Sequence, residues 1–192
     1  KLGGALICTA LFFMLIILVI IQKHFERKIL QDYFIVEGVI DVDAKYFIDQ
    51  IDKGIVREDN LSNRTYVRDQ MTSWDYFNQD PKFIKILQTF MDFLDKNISL
   101  TKYQLTDAWG YRMNSGGETR EHGHKPNLWS GVLYLNKHKQ TLDFPEINYS
   151  VKPEKGKFVL FSSILLHKSD RHRENNPKYG ISFNFGQLAL LD

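Results

Sequence analysis

"EHGHKPNLWSGVLYLN", residues 121–136, decides how the chain is read. Two histidines, His122 and His124, stand one residue apart just before a run with the alternation and aromatic content of a β-strand. If both lie on one strand, their side chains point to the same face with Cα atoms ~6.6 Å apart. Imidazole nitrogens from such a pair can converge on one metal ion at ~2.1 Å. A surface His-x-His without function is an equal reading, so the pair alone leaves both open.

A third histidine bears on the choice. "KPEKGKFVLFSSILLHKSD", residues 152–170, places Gly156 at a turn, an apolar strand over 157–161, and then His167. Two or three hairpin strands fit between His124 and His167. A meander of that length returns the chain to the same end of a barrel. Packing among Ile164, Leu165 and Leu166 is the competing reading of His167. His24, His138 and His172 have no comparable setting and are read as solvated.

Working outward, period-two alternation governs everything from residue 100. "TKYQLTDAWGYRM", "LWSGVLYLN", "TLDF", "INYSV", "GKFVLFSS" and "YGISFNFGQLAL" read as short strands between turn residues. Before residue 100 the spacing is helical. "DVDAKYFIDQIDKG", 41–54, ends on Gly54 as a stop. In "DPKFIKILQTFMDFLDKN", 80–97, Asp80 caps, Pro81 suits the first turn, and Phe83, Ile84, Ile86, Leu87, Phe90 and Phe93 make one broad apolar face. The stretch between these helices reads as a long loop with a strand. Helices followed by many short strands predict a mainly β, α+β domain, a sandwich or barrel with helices on one sheet.

The chain has 192 residues, 25 basic and 23 acidic side chains, and a formal charge of +2, with no basic stripe, so nucleic acid is not an expected partner. Aromatic content of 14% favours β-structure over disorder. The single cysteine, Cys8, excludes an internal disulfide and a Cys-based metal site.

Residues 2–21, "LGGALICTALFFMLIILVII", contain no charge. As a helix they span ~30 Å, the thickness of a bilayer core. They show no polar face and exceed a signal-peptide core, so a single transmembrane helix is expected rather than a core helix or a signal sequence. The chain opens on Lys1, which is read as an internal start. The domain reading is a membrane anchor with its basic flank over 1–30, then one domain over 31–192, helical to 100 and β-rich from 101. Lys23, Arg27 and Lys28 place the domain in the cytoplasm by the positive-inside rule. The Asn-x-Ser/Thr triplets at Asn60, Asn63, Asn97 and Asn148 point to the opposite side, so single-pass localisation is expected with its side open.

Three blocks in order, "HGHKPNLWSGVLYLN", "PEKGKFVLFSSILLH" and "KYGISFNF", resemble the Fe(II)/2-oxoglutarate-dependent oxygenases, in particular those of phage and marine microbial genomes, which are distantly prolyl hydroxylase-like. The likeness covers about residues 105 to 186. It implies a double-stranded β-helix, or jelly roll, with iron near one mouth and 2-oxoglutarate and O₂ as cosubstrates. His122 and His167 match the two histidine ligands of the family. Where the family places Asp or Glu in its two-His-one-carboxylate triad, this chain has His124. Three neutral imidazoles leave the site one unit more positive than that triad. Glu121, Asp143 and Glu146 are other carboxylates nearby in sequence, none at the motif position.

The family places an Arg on the distal carboxylate of 2-oxoglutarate. Alignment on Asn184 puts Lys178 there, with Ser182 on the same strand face and Tyr134 within reach. A solvated turn residue for Lys178 and plain core packing for Tyr134 are the competing readings. Arg171 and Arg173 are the rival cations, in the loop after His167. The implied function is hydroxylation of an unidentified protein side chain or small molecule. A non-catalytic, cupin-like metal or ligand-binding jelly roll, and a three-histidine dioxygenase without 2-oxoglutarate, are the alternatives.

Overall fold

Period-two sequence from residue 100 onward becomes two facing antiparallel sheets. The computed structural model describes residues 33–56, 66–98 and 101–188, and the unit described below begins at Phe34. Its elements are β1 (Ile35–Val39), α1 (Ala44–Val56), β2 (Val67–Arg68), β3 (Gln70–Met71), α2 (Pro81–Asn97), β4 (Tyr103–Met113), β5 (Glu118–His122), β6 (Trp129–Tyr134), β7 (Leu142–Phe144), β8 (Tyr149–Val151), β9 (Lys157–Ser162), β10 (His167–Ser169) and β11 (Lys178–Gln187). The larger sheet has the order β1-β9-β6-β11-β4-β3 and the smaller β2-β5-β10-β7-β8. This is the arrangement of a jelly roll.

The larger sheet is covered on both faces. On β11, Tyr179, Ile181, Phe183 and Phe185 join the core beneath the helices, while Lys178 and Ser182 line the space between the sheets. On β6, Trp129 and Leu133 face the helices, and Val132 and Tyr134 face inward. Register keeps the inner residues abreast, with Gly180 opposite Tyr134 and Ser182 opposite Val132.

Both helices lie against the outer face. In α2, Asp80 Oδ1 accepts from the Phe83 N–H at 2.8 Å, and Pro81 occupies the first turn, as the sequence predicts. Phe83, Leu87, Phe90 and Leu94 are its buried stripe. The apolar face is therefore narrower than the sequence suggests, since Ile84 and Phe93 are exposed. The Phe90 ring stacks on Phe183 at 5.4 Å. Helix α1 buries Phe47, Ile51 and Ile55 and runs past Gly54 to Val56. Gly54 is not a stop. A Cβ there would lie 2.6 Å from Thr72 Cγ2 and 2.8 Å from Tyr76 Cζ, so the residue permits close helix packing.

Strand β4 changes phase partway along. Asn184 of β11 is opposite Asp107, but Phe185 is opposite Leu105, so Thr106 is an extra residue in a β-bulge. Before the bulge, Tyr103 and Leu105 pack on the helix side. After it, Trp109, Tyr111 and Met113 belong to the inner core. The bulge turns odd-numbered residues from one face of the sheet to the other.

Two expectations need correction. Residues 2–21, read as a transmembrane helix, lie outside the described residues, and among the described residues no helix is long and apolar enough to cross a membrane. Both described helices carry charged residues opposite their buried stripes. The fold class is corrected to what the described residues form, a mainly β jelly roll with two flanking helices, and no described helix supports the single-pass membrane localisation. His138 and His172, read as solvated, are 3% and 1% exposed. His24 lies outside the described residues.

Candidate metal centre and its pocket

Strand pairing sets up the histidine cluster. His122 ends β5 and His167 opens β10, and the two are direct register partners in an antiparallel pair. Directly opposed residues share a face of the sheet. His124 arrives differently from the way its spacing suggests. β5 stops at His122, and a turn carries the chain onward. The His124 N–H donates to the Ser163 carbonyl at 2.8 Å, and its own carbonyl accepts from the Asn127 N–H at 2.9 Å. The candidate ligand nitrogens of His122, His124 and His167 lie within 4.8 Å of one another. His124 Nε2 and His167 Nε2 are 3.2 Å apart.

Hydrogen bonds orient the rings. The backbone carbonyl of Arg120 lies 2.7 Å from His122 Nδ1, and that of Leu165 lies 3.1 Å from His167 Nδ1. A carbonyl only accepts, so both Nδ1 atoms carry the proton and both Nε2 atoms keep a lone pair. Burial pushes all three imidazoles below their ordinary range. For His124 burial, then the charge of His122, takes the value down to about 3. Neutral rings are what a divalent transition metal requires, and the carbonyl on the far nitrogen of His122 and of His167 is the usual support for a histidine ligand. The donor set therefore fits a metal ion such as Fe(II). Glu121 and Glu146 are exposed, Asp143 accepts from the Ser150 hydroxyl, and none belongs to the cluster.

Between the sheets, next to the cluster, lies a pocket lined by Lys178, Ser182, Tyr134, Tyr111 and Trp109 together with the three histidines. Lys178 is 2% exposed. No carboxylate lies within ion-pair distance of it among the described residues. Burial pushes its ammonium down to about 7, against the pull of the more distant Asp143. Beside it, Gly180 leaves room for the Tyr111 hydroxyl, which would collide with any Cβ there. Burial raises the phenols of both Tyr111 and Tyr134, so both stay protonated as donors. Arg171 and Arg173 are exposed and do not line the pocket.

Sequence reading missed a second feature. A groove on the outer side of the histidines is lined by Tyr66, Trp74, Asp107, Trp109, Lys125, Asn127 and Asn184. The Tyr66 ring stacks on His122 at 4.8 Å, and Trp74 meets Trp109 edge to face at 4.6 Å. His138 and His172 form a separate buried pair, with Nε2 atoms 2.7 Å apart, that ties the loop after β6 to the loop before β11.

No family model matches the sequence, and no curated protein matches it. Solved structures do share its fold. The viral collagen prolyl hydroxylase of Paramecium bursaria Chlorella virus-1, in its 2-oxoglutarate complex, has a TM-score of 0.65 at 17% identity over 82% of this chain and 97% of that one. A prolyl-4-hydroxylase of Pseudomonas putida gives 0.62 at 17% identity, over 82% and 94%. HygX of Streptomyces hygroscopicus with iron bound gives 0.57 at 12% identity, over 81% and 82%. The chain has the fold of the Fe(II)/2-oxoglutarate oxygenases.

Proposed function

We propose that a protein with this fold and this cluster is an Fe(II)- and 2-oxoglutarate-dependent dioxygenase that hydroxylates its substrate. His122, His124 and His167 would hold the iron. Lys178 would take the distal carboxylate of 2-oxoglutarate, with the Ser182 and Tyr134 hydroxyls beside it. The observation that carries the reading is Lys178, a buried ammonium with no ion-pair partner among the described residues, lining the same pocket as three neutral imidazoles. An unpaired buried cation is costly, and a dianionic ligand removes that cost.

Bound iron would supply the oxidising chemistry, coupling the use of O₂ and the decarboxylation of 2-oxoglutarate to succinate and CO₂ to conversion of a substrate C–H to C–OH. The chain's own groups have simpler tasks. The Arg120 and Leu165 carbonyls fix the two ring tautomers. Lys178 anchors and orients the cosubstrate. Phe161 and Leu142 line the pocket with apolar surface that excludes water.

A three-histidine dioxygenase that does not use 2-oxoglutarate is favoured by one observation, that among the described residues no carboxylate joins the cluster. The two readings separate on anaerobic titration of the full chain with Fe(II) and then 2-oxoglutarate. The oxygenase proposed here develops the visible charge-transfer band of an iron–2-oxoglutarate chelate. Iron binding without that band favours the alternative.

A further inference from the structure

We propose that the groove outside the histidines selects a substrate bearing a protonated amine, with Asp107 as the carboxylate that receives the ammonium and Trp74 as an aromatic wall beside it. This rests on the oxygenase reading and names the substrate class for that same site.

Asp107 is built into the groove rather than left on a surface. The bulge at Thr106 turns it to the groove side of β4. Its Oδ1 accepts from Asn184 Nδ2 at 2.7 Å, and its Oδ2 lies 2.9 Å from the Thr106 hydroxyl. Asn184 is itself fixed, because its Oδ1 accepts from the Ser130 hydroxyl at 2.6 Å, and Ser130 lies 2.7 Å from Ser163 Oγ. Ser130, Ser163 and Asn184 are all buried. The chain of polar groups also sets the amide orientation of Asn184, nitrogen toward Asp107.

What the carboxylate lacks is a counter-charge. Only neutral donors touch it, and no Lys, Arg or His nitrogen among the described residues lies within ion-pair distance. Lys125 lines the same groove but is exposed and not paired with Asp107. Burial raises the Asp107 carboxyl, the direction expected of an acid held without a cation.

The surrounding rings suit a cation as well. Trp74 is 40% exposed and Tyr66 56% exposed, both on the groove. An indole face next to a carboxylate attracts an ammonium through both its quadrupole and the full negative charge. Tyr66 stacks on His122, and His122 and His124 line the groove floor, so a ligand anchored at Asp107 has its adjoining carbons beside the metal ligands.

The test uses the full chain and n-hexylammonium against 1-hexanol, a neutral probe of similar length. Binding is read by tryptophan fluorescence, and the iron–2-oxoglutarate charge-transfer band is recorded on the same preparation. The ammonium is expected to bind about ten- to a hundredfold more tightly than the alcohol, as a charge-assisted bond dictates. Asp107→Asn, which keeps the shape and an acceptor oxygen, should remove the preference and leave alcohol binding unchanged. Trp74→Leu, at an exposed position that does not threaten folding, should weaken the ammonium severalfold and spare the alcohol. Equal binding of the two probes by the wild type overturns the inference, as does a preference that survives both substitutions. A normal chelate band with no ammonium preference sinks this inference alone. An ammonium preference that depends on Asp107, with no chelate band, sinks the oxygenase reading and leaves the groove's charge selectivity standing.

Discussion

His122 and His167 face each other as register partners across β5 and β10, with ring centroids 4.4 Å apart. Each sends its Nδ1 proton to a backbone carbonyl two residues earlier on its own chain segment. The cluster is thus held by the backbone of two paired strands, with His124 brought in by a separate turn.

Removing either strand histidine should abolish stoichiometric Fe(II) binding. His122→Ala and His167→Ala each leave two imidazoles, too few to hold the ion. His124→Asp should keep iron and bind it more tightly than the wild type, since it lowers the site charge by one unit and restores a carboxylate. Metal titration followed by elemental analysis checks all three variants. Wild-type stoichiometry in both alanine variants would place the metal elsewhere.

Lys178→Ala should weaken 2-oxoglutarate by about one to two orders of magnitude, the worth of a charge-assisted hydrogen bond. Iron affinity should not change. Lys178→Met should bind 2-oxoglutarate as poorly but raise the melting temperature of the ligand-free protein, because an apolar chain replaces a buried, unpaired ammonium. Calorimetry with and without 2-oxoglutarate reads both effects. A lower melting temperature in Lys178→Met would show that the ammonium already has a stabilising partner.

Affinity for 2-oxoglutarate should depend on pH. With the free pocket holding Lys178 down at about 7, the charged form that pairs with a carboxylate predominates below that value. A bound dianion raises the lysine's affinity for its proton, so binding takes up a proton above pH 7. Affinity is therefore full well below pH 7, is halved where the free lysine is half charged, and falls by about tenfold per pH unit above that until the bound lysine itself titrates. Chelate-band titrations from pH 6.5 to 8.5 measure the slope, and a flat profile counts against Lys178 as the anchor.

Phe90→Ala should cost roughly 3–5 kcal/mol of stability, since it removes a buried ring stacked on Phe183 and leaves a cavity between α2 and the sheet. Denaturant unfolding measures the loss. A cost under about 1 kcal/mol would mean that the helix does not depend on this contact.

Much of the sheet was legible because its strands are rich in apolar and aromatic residues bounded by turn residues. Strands β4, β6, β7, β8 and β9 fall within the runs picked out by period two, and β11 starts one residue before its run, at Lys178. β5, "ETREH", and β10, "HKS", were not legible as strands, since their residues are polar and show no apolar alternation. β1 was hidden in what reads as the helical part, because its place beside β9 depends on a partner more than a hundred residues away. His122, His124 and His167 stood out through motif order, yet the reason His124 reaches the cluster is a turn rather than strand alternation. Asp107 could not be read as inward-facing. Both faces of β4 are covered, so Tyr103 and Leu105 look like Trp109 and Tyr111 in sequence, and nothing marks the change of phase at Thr106. The burial of His138 and His172 likewise depends on two loops meeting in space.

The extra residue in β4 lets the odd-numbered positions of one strand serve two different surfaces. Ahead of Thr106, Tyr103 packs on Trp129 and Phe185 and donates its hydroxyl to the Met91 carbonyl, all on the helix side. Behind it, Asp107 and Trp109 answer to the groove. Substitutions at Tyr103 or Leu105 act on the helical layer and substitutions at Asp107 or Trp109 on the groove side, so these two sets of odd-numbered positions can diverge separately along a single continuous strand. Deleting Thr106 would end that independence. The longer inner half, held by Trp109, Tyr111 and Met113, would keep its phase, and Tyr103 and Leu105 would be rotated off the helices. In a lineage of such chains, length variation at this one position would exchange helix docking for groove shape in a single event.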